Sequence, residues 1–538
     1  MPHFPGPVAL LSATILTLVT ACSGAVRQPT GQAGGRVVFA TDKEPECFDT
    51  QVSQSDISGV LMRNVFDSLV SRGQDGEFKP WLASKWSLSA DELTYTFTLR
   101  EGVKFSDGTP FDAAAVKANY DRIVAPATKS KYAAGLLGPY AGTTVIDPLT
   151  VAVRFTRPFA SFLTAASTSY LGIRSPKAIA ADLCAGSPAQ QVGTGPFLFA
   201  SYTRGQQVVL TRNPSYNSAP ATAAHTGPAN LSELVFRFVA EDTVRVGSVT
   251  SGQADIADRV PPNQVGTLKN NATVQLTSSN TPGLGYQYFL NTQSPLFADR
   301  RVRLAVQQAF DVDRAVKAVY FGEYERAWSP LSPATEAYDA SLVNSFKYDP
   351  AAAAVLLDQA GYTGRDAQGF RTKAGRRLTA TLLYVPLYTP EDRRTLDQAL
   401  QGDLKKVGIE LKLVPMEAAA YEPVRNAGEY DVIAFAWGGS NPDLLRTMFD
   451  SKNFFDAGGN NACRFTDRAV DDWLAAAAAS TDPVARKDLY GKAQRRIIDE
   501  GVSLPTAVSE RQLAVRSAIT GLTFDANGWP LFYDVERS

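Results

Sequence analysis

Histidine is scarce in this chain. It occurs 2 times in 538 residues, as His3 and His225, and His225 lies in a loop-like stretch of Pro, Ala and Thr. A Ser-His-Asp or Cys-His catalytic centre would have to depend on that residue. The patterns HExxH, GxSxG, GxxxxGK[ST] and GxGxxG are absent as well. We therefore expect no catalytic residues, no metal site and no cofactor.

An excess of charge of one sign is also lacking. The chain has 53 Lys and Arg residues against 54 Asp and Glu residues, a net charge of -1. Proteins that bind DNA or RNA carry a basic face, so we expect no nucleic-acid partner. Carboxylates are numerous, however, and their spacing selects no particular pair. An exported glycoside hydrolase that uses two carboxylates therefore stays open as the alternative function.

The apolar run at the N-terminus is too short to span a bilayer as a helix. It covers residues 8–21 without a charge and ends in Val19-Thr20-Ala21-Cys22. Such a run matches the apolar region of a signal peptide, and a small residue before cysteine is typical of a bacterial lipoprotein. The sequence predicts a signal peptide over 1–21, lipidation of Cys22, and a flexible tether over 22–35. We expect a monomer anchored by lipid in the bacterial cell envelope, in the periplasm or outside the cytoplasmic membrane.

Cysteine is rare, and no CxxC pair exists that would indicate a zinc ribbon or a thioredoxin-like site. Beyond Cys22 the chain has Cys47, Cys184 and Cys463. An odd number leaves at least one of them without an intrachain partner. Export permits a disulfide. Because Cys47 and Cys184 both precede the hinge expected below, we predict a bond between them.

Strand and helix patterns alternate through the rest of the chain. Residues 93–99 alternate apolar side chains with threonine, which predicts a half-buried strand. Asp349-Pro350 and Asp482-Pro483 each precede a helical run, as a capping residue and a first-turn proline do. A length of 538 residues exceeds what one hydrophobic core holds. The sequence therefore predicts an α/β protein of more than one unit, divided near the Pro/Gly/Ser-rich residues 277–283.

Three stretches resemble the family-5 extracellular solute-binding proteins, which include the oligopeptide, dipeptide and nickel receptors of ABC importers. The first is the most specific and pairs a tryptophan-rich segment with a glycine-rich turn. The stretches are KPWLASKW at 79–86 with LREGVKFSDGTPF at 99–111, GTGPF at 193–197 with RNPSY at 212–216, and DRRVRLA at 299–305 with AFDVDR at 309–314. The resemblance covers residues 36–530.

The resemblance implies a two-lobed periplasmic-binding-protein-like fold with an extra subdomain in the first lobe and a two-strand hinge. It predicts a receptor that is not an enzyme. Such a receptor captures a peptide or peptide-like solute by lobe closure and delivers it to a separate ABC permease and ATPase. The expected division is a first lobe at 36–284 with the subdomain at about 71–194, a second lobe at 285–507, and a return to the first lobe at 508–538.

The same resemblance indicates where the ligand lies. Ser53, Gln54 and Ser55 follow the first strand and are expected to offer small polar groups to an extended ligand. Tyr286, Tyr288 and Trp437 could add apolar contacts, and each could equally belong to the hinge core.

A turn in the second lobe departs from the family pattern. Trp437, Gly438 and Gly439 match the family's turn, but peptide-binding relatives carry Asp at the position of Ser440, where it pairs with the ligand's ammonium. The nearest carboxylate here is Asp443. A buried ammonium needs a charged acceptor. Two hypotheses follow: Asp443 substitutes, or the ligand lacks a free amino terminus.

A second departure concerns the ligand's carboxylate. Dipeptide receptors are expected to offer an arginine near residues 383–388, where this chain has aliphatic and aromatic residues. Its first basic residues there, Arg393 and Arg394, lie inside the following helix. The sequence thus disfavours a strict dipeptide receptor and favours longer, blocked or cyclic peptides or other peptide-like metabolites. A nickel receptor is disfavoured by the histidine count.

Overall fold

The computed structural model describes residues 34–130, 132–179 and 183–538. The predicted signal peptide, most of the tether and Cys22 lie outside these residues.

The strands are numbered in chain order. They are β1 (Arg36–Thr41), β2 (Val70–Arg72), β3 (Phe78–Pro80), β4 (Ala83–Leu88), β5 (Thr94–Leu99), β6 (Tyr140–Asp147), β7 (Thr150–Phe155), β8 (Phe197–Thr203), β9 (Gln207–Arg212), β10 (Glu233–Phe238), β11 (Ile256–Ala257), β12 (Val274–Asn280) and β13 (Gly283–Leu290). They continue with β14 (Gly364–Arg365), β15 (Arg371–Lys373), β16 (Arg376–Arg377), β17 (Thr379–Tyr384), β18 (Glu410–Pro415), β19 (Val432–Gly438), β20 (Ser503–Ala507), β21 (Glu510–Arg516), β22 (Ile519–Thr520), β23 (Thr523–Phe524), β24 (Pro530–Leu531) and β25 (Glu536–Arg537).

The α-helices are numbered in the same way. They are α1 (Asp56–Met62), α2 (Ala113–Val124), α3 (Ala133–Leu137), α4 (Phe162–Ala166), α5 (Asp242–Thr250), α6 (Pro262–Lys269), α7 (Arg300–Ala309), α8 (Val312–Val319), α9 (Pro350–Gln359), α10 (Glu391–Val407), α11 (Ala418–Ala427), α12 (Leu444–Phe449), α13 (Arg468–Ala479) and α14 (Pro483–Asp499).

The first lobe is built on a seven-stranded sheet of order β12-β21-β11-β1-β10-β9-β8. The central strand β1 runs parallel to β10 and β11, and the other pairings are antiparallel. From Val37 to Thr41 every residue of β1 is buried, as expected of a central strand that is covered on both faces. The sheet joins distant parts of the chain, since β21 returns to it after the second lobe is complete.

A separate four-stranded sheet of order β4-β5-β7-β6 lies between β1 and the rest of the first sheet in sequence. In β5, Tyr95, Phe97 and Leu99 are buried while the threonines between them are partly exposed. This confirms the strand that the alternation at 93–99 predicts. The buried aromatic side chains pack with Phe155 and Phe162 in a core of their own. All four strands lie within the segment expected to form the inserted subdomain.

The second lobe is built on a five-stranded sheet of order β18-β17-β19-β13-β20. Each residue of β13 is buried, because helices cover both faces of the sheet. The helix starts follow the predicted signals: Asp349 accepts a hydrogen bond from the Ala352 amide at 2.8 Å and caps α9. Helix α10 ends at Gly408, whose φ of 89° is the left-handed conformation of a helix-ending glycine.

Two short crossings join the lobes side by side. Residues 281–282 lead from β12 to β13, and residues 508–509 lead back from β20 to β21. The Thr281 amide donates to the Ser509 carbonyl at 2.7 Å, which ties the crossings together. A pair of adjacent strands with few residues between the sheets is the geometry of a hinge.

Cys47 and Cys184 form a disulfide, the pairing that the sequence analysis expects. Cys463 is a free, buried cysteine in the core of the second lobe. Burial raises the pKa of its thiol, and its Sγ donates to the Val502 carbonyl. Cys463 is therefore a packing residue. No helix among the described residues is both long and apolar enough to cross a membrane.

Candidate ligand-binding cleft

A cavity of about 1130 Å³ lies between the lobes, beside the two crossings. Ligand pockets in proteins commonly measure about 300–1,000 Å³. The cavity therefore has room for a solute as large as a short peptide, together with some water. Both lobes and the hinge contribute to its walls.

The first-lobe wall contains Ser53, Gln54 and Ser55. Ser53 is buried, and its hydroxyl is hydrogen-bonded to Glu46 and lies 3.1 Å from the Ser58 hydroxyl. The Ser55 amide in turn donates to the Ser53 hydroxyl at 3.0 Å. Ser53 therefore shapes the segment, whereas the exposed amide side chain of Gln54 is available to a ligand.

The second-lobe wall contains Tyr286, Trp437, Gly438 and Gly439. Trp437 and the glycines sit at the end of β19, where this strand pairs with the start of β13 next to the hinge. Tyr288 is fully buried behind the wall and does not line the cavity. Of the two uses considered for this tyrosine, the structure favours the hinge core.

Ser440 and Asp443 do not line the cavity, although the Ser440 amide donates at 3.4 Å to Asn527, which does. Asp443 is 6% exposed. Its carboxylate accepts hydrogen bonds from the Arg446 guanidinium at 2.7 Å and from the Tyr490 hydroxyl at 3.3 Å. Because its charge is already neutralised, it is poorly placed to receive a ligand's ammonium. The signal for this role was present in the sequence: Asp443 and Arg446 are three residues apart, the spacing of a helical ion pair.

Charged side chains also line the cavity, and the sequence does not predict them as a group. They are Lys43, Glu46, Asp56, Arg259, Asp392, Arg393, Glu510 and Arg511. They come from loops and element ends that meet only in the folded chain, so no short motif contains them.

Arg393 is the most informative of these residues. It belongs to the first turn of α10, inside the helix as the sequence predicts, yet it lines the cavity. Its guanidinium lies 5.0 Å from the centre of the Tyr286 ring, a cation–π contact. It forms no salt bridge with the described residues. The cleft thus offers a positive charge that has no carboxylate oxygen within 4.0 Å among the described residues.

A buried carboxyl supports this wall from behind. The Tyr286 hydroxyl donates to Asp397 at 3.0 Å. Burial raises the pKa of Asp397 to about 6, although the nearby Tyr288 and Tyr286 hydroxyls and the Arg393 charge favour its ionised form. Asp397 therefore fixes the ring over which Arg393 lies.

A fold of two α/β lobes joined by two crossings, with a cavity at the hinge, defines a class of binding protein that closes around its ligand. The family model of bacterial extracellular solute-binding proteins, family 5 Middle, matches residues 77–456. The chain belongs to this family. It is a solute-binding receptor and not an enzyme, so the glycoside hydrolase alternative is wrong.

The chain is similar to curated relatives over nearly its whole length. A glutathione-binding protein GsiB of Escherichia coli O1:K1 / APEC is 29% identical over 531 residues, 96% of each chain. The GsiB protein of Salmonella paratyphi A is 29% identical over 500 residues, 90% of this chain and 91% of the relative.

Solved structures show the same fold. NikA from Brucella suis, in complex with Fe(III)-EDTA, has a TM-score of 0.82 at 25% identity and covers 94% of this chain and 100% of its own. DppA from Helicobacter pylori, in complex with the peptide STSA, has a TM-score of 0.76 at 25% identity and covers 94% and 98%. These ligands differ widely in chemistry. Membership of the family therefore identifies a solute receptor, but the identity of the solute depends on the residues that line the cleft.

Proposed function

We propose that this chain is a lipid-anchored receptor of an ABC importer that captures a short peptide-like solute bearing a carboxylate. The observation that carries this proposal is Arg393, whose guanidinium faces the cavity without a salt bridge. Closing the lobes removes water from such a charge, which is costly unless the ligand supplies an opposite one. A carboxylate is the matching group, and it accepts two parallel hydrogen bonds from a guanidinium.

The size and chemistry of the walls support a peptide-like ligand. Gln54 and the backbone around it offer polar groups on one side, and Tyr286 and Trp437 offer rings on the other. Such a mixture binds an extended backbone without reading each side chain closely. The names of the relatives agree, since the GsiB proteins bind glutathione and the DppA structure contains a peptide.

Closure of the lobes about residues 281–282 and 508–509 is part of the proposal. The first lobe would comprise 36–284 with an inserted subdomain at about 71–194, the second 285–507, and the return segment 508–538. The closed receptor would then dock on a separate permease driven by a separate ATPase. Lipid attached at Cys22, after removal of 1–21, would hold it at the membrane surface.

The ligand class is tested with paired arginine variants. Arg394 is the matched control for Arg393, because it is the next residue of the same helix, is exposed and does not line the cavity. A ligand at about a hundred times its Kd adds about 2.7 kcal/mol to stability. We expect glutathione or trialanine to raise the melting temperature of wild type and of Arg394→Gln, and not of Arg393→Gln. Equal shifts from trialanine and its C-terminal amide would contradict the carboxylate claim.

The anchor has its own test. Metabolic labelling with a radioactive fatty acid should mark the wild type, and Cys22→Ala should abolish the label and release the protein from the membrane fraction. Retention of Cys22→Ala in that fraction without lipid would contradict the anchor and leave the ligand claim unaffected.

A further inference from the structure

Three aromatic side chains of the first lobe contact one another in the wall of the ligand cavity. Tyr132, Tyr170 and Trp529 all line it. The ring centres of Tyr132 and Tyr170 lie 4.8 Å apart, with 81° between the ring planes. Those of Tyr170 and Trp529 lie 5.8 Å apart, with 68° between the planes. Because successive rings are steeply inclined to each other, these three residues are called here the aromatic corner.

A carboxylate belongs to the same wall. Glu46 lines the cavity, and its carboxylate accepts from the hydroxyl of the buried Ser53. The Ser55 amide donates to that hydroxyl at 3.0 Å, and the Ser55 carbonyl accepts from the Tyr170 hydroxyl at 3.0 Å. Among the described residues, no Lys or Arg nitrogen lies within 4.0 Å of the Glu46 carboxylate. Glu46 is therefore joined to the aromatic corner and keeps its charge.

We propose that the aromatic corner and Glu46 bind a cationic group of the ligand, an organic ammonium. The face of an aromatic ring carries partial negative charge and attracts a cation that lies over it. Rings set at an angle to each other can enclose an alkylated ammonium, and the carboxylate adds a full opposite charge. The inference rests on the proposed function and deepens it, because the ligand becomes a zwitterion whose carboxylate meets Arg393 of the second lobe.

Carboxyl groups surround the centre of the aromatic corner. Burial raises the pKa of Tyr170, and the Tyr132 hydroxyl and the carboxyl groups of Asp56, Glu46 and Asp525 raise it further. A phenol is harder to ionise where nearby charges are negative. The same negative charges favour a bound cation.

The positive charges of the first-lobe wall are poorly placed to repel that cation. Arg259 pairs with Asp56 at 2.5 Å. Arg511 forms a two-armed ion pair with the buried Asp258, at 2.7 and 2.5 Å. Lys43 is exposed and makes no hydrogen bond or ion pair with a described residue. The two guanidinium groups are thus neutralised, and water hydrates the lysine.

The fold fixes the position of Trp529. Its amide donates to the Asp525 carboxylate at 2.9 Å. Helix α1 packs against the indole at Gly59, where an added Cβ would lie 2.5 Å from the Cζ3 atom of the ring. The turn that carries Trp529 also meets the second lobe, since Asn527 accepts from the Ser440 amide at 3.4 Å. Lobe closure therefore brings the second lobe against this turn, and exclusion of water strengthens the attraction of a cation to the rings.

The aromatic corner supplies an acceptor that the second-lobe turn lacks. Asp443 of that turn already accepts from Arg446 at 2.7 Å and does not line the cavity. A ligand with a free amino terminus is therefore compatible with this cleft when its ammonium lies against the first lobe.

Calorimetry with three forms of one peptide tests this inference: trialanine, N-acetyl-trialanine and N,N,N-trimethyl-trialanine. The acetyl form has no charge at its amino end. The trimethyl form keeps the charge but has no N–H to donate, so it distinguishes aromatic rings from hydrogen-bond acceptors. We expect acetylation to weaken binding to wild type at least tenfold and trimethylation to change it less than threefold.

Variants assign the effect to the aromatic corner and its carboxylate. Trp529→Leu and Glu46→Gln should each reduce the preference for trialanine over the acetyl form at least fivefold, whereas Trp529→Phe, which keeps a ring, should retain most of it. The matched control is Glu44→Gln. Glu44 lies in the same segment as Glu46, accepts from the Tyr202 hydroxyl at 2.6 Å and does not line the cavity, so its variant should keep the wild-type preference.

The outcomes separate this inference from the proposed function. If the three forms bind equally and Arg393→Gln weakens them all, the receptor for carboxylate-bearing solutes stands and the cation site is wrong. If trimethylation weakens binding as much as acetylation, hydrogen bonds hold the ammonium and the aromatic corner is wrong. If no form of trialanine binds, the inference is wrong, and glutathione then decides the proposed function alone. If Trp529→Leu does not fold, Glu46→Gln and the three forms on wild type decide.

Discussion

Arg72 of the first lobe donates to Glu336 of the second lobe at 2.9 Å. The Arg72 side chain is 6% exposed, and Glu336 also lies 3.5 Å from Arg486. Glu336 follows Thr335, whose hydroxyl accepts from the Gly283 amide of the hinge strand at 2.7 Å. The ion pair therefore bridges the two lobes beside the hinge and outside the ligand cavity.

Removing the charge of Glu336 should weaken ligand binding without changing ligand preference. In the closed form of Glu336→Gln, the nearly buried Arg72 has lost its charged partner. In an open form water would hydrate Arg72, so the substitution destabilises the closed form relative to the open one. Loss of about 1–2 kcal/mol corresponds to a Kd raised about 5- to 30-fold. Calorimetry with several ligands should show one common factor. If Glu336→Gln raised Kd by a different factor for each ligand, Glu336 would take part in ligand recognition, which would contradict a role in closure alone.

The matched control is Asp75→Asn. Asp75 lies in the same hairpin as Arg72 and pairs with Lys79 at 3.0 Å, but both partners are exposed. An exposed pair contributes about 0–1 kcal/mol, and this one does not cross between lobes. Ligand affinity should therefore stay at the wild-type value.

Asp67 should make the protein less stable as pH rises. It is fully buried, and burial raises its pKa to about 7, against 3.8 as the ordinary value. Between about pH 4 and 7 the folded state keeps a proton that the unfolded state releases, so the free energy of unfolding falls through that window. Asp67→Asn, which cannot ionise, should gain about 2–4 kcal/mol over wild type from pH 4.5 to 8.

Urea unfolding at several pH values measures this gain. The control is Asp472→Asn on the surface, where the carboxylate side chain is 71% exposed; its difference from wild type should stay constant with pH. A pH-independent difference for Asp67→Asn would contradict a raised pKa.

The disulfide should stabilise the protein substantially. Cys47 and Cys184 are 137 residues apart in sequence, and closing so long a loop restricts the unfolded chain by about 2–5 kcal/mol. A reducing agent should lower the melting temperature of wild type and of Cys463→Ala by similar amounts. It should leave Cys47→Ala/Cys184→Ala unaffected. If the reducing agent had no effect on Cys463→Ala, its effect on wild type would depend on Cys463 and not on the Cys47–Cys184 disulfide, which would contradict this prediction.

Gly283, at the start of β13, should tolerate no side chain. Its φ is 108°, and an added Cβ would lie 2.2 Å from the Trp437 carbonyl oxygen. Gly283→Ala must therefore displace the hinge strand from the end of β19 and should lower both stability and ligand affinity. Gly438→Ala is the control for stability alone, because Gly438 lines the cavity but the nearest atoms to its added Cβ are 3.9 Å away. Equal effects of both variants on the melting temperature would contradict this account.

Local signals predicted the secondary structure well where one residue determines a boundary. Asp349 before Pro350 predicted the start of a helix, and the alternation of Tyr95, Phe97 and Leu99 predicted a strand. Both predictions hold because these patterns depend on interactions among a few neighbouring residues.

The cleft could be predicted only in part. Ser53 and Gln54 come after β1 and Trp437 lies near the end of β19, and the family resemblance places these segments at the cavity. The orientation of Arg393 depends on how α10 is rotated against the second sheet, which packing determines and the helix sequence alone does not. Asp443 does not line the cavity, and one of its partners, Tyr490, comes from a distant helix that no local pattern identifies.

Mass spectrometry of the ligand carried by gently purified protein tests the central claim most directly. The account predicts a small peptide-like solute with a free carboxylate in wild type and in Arg394→Gln, and its absence from Arg393→Gln purified in parallel. A neutral sugar, or the same solute retained by Arg393→Gln at full occupancy, would contradict a carboxylate-binding cleft.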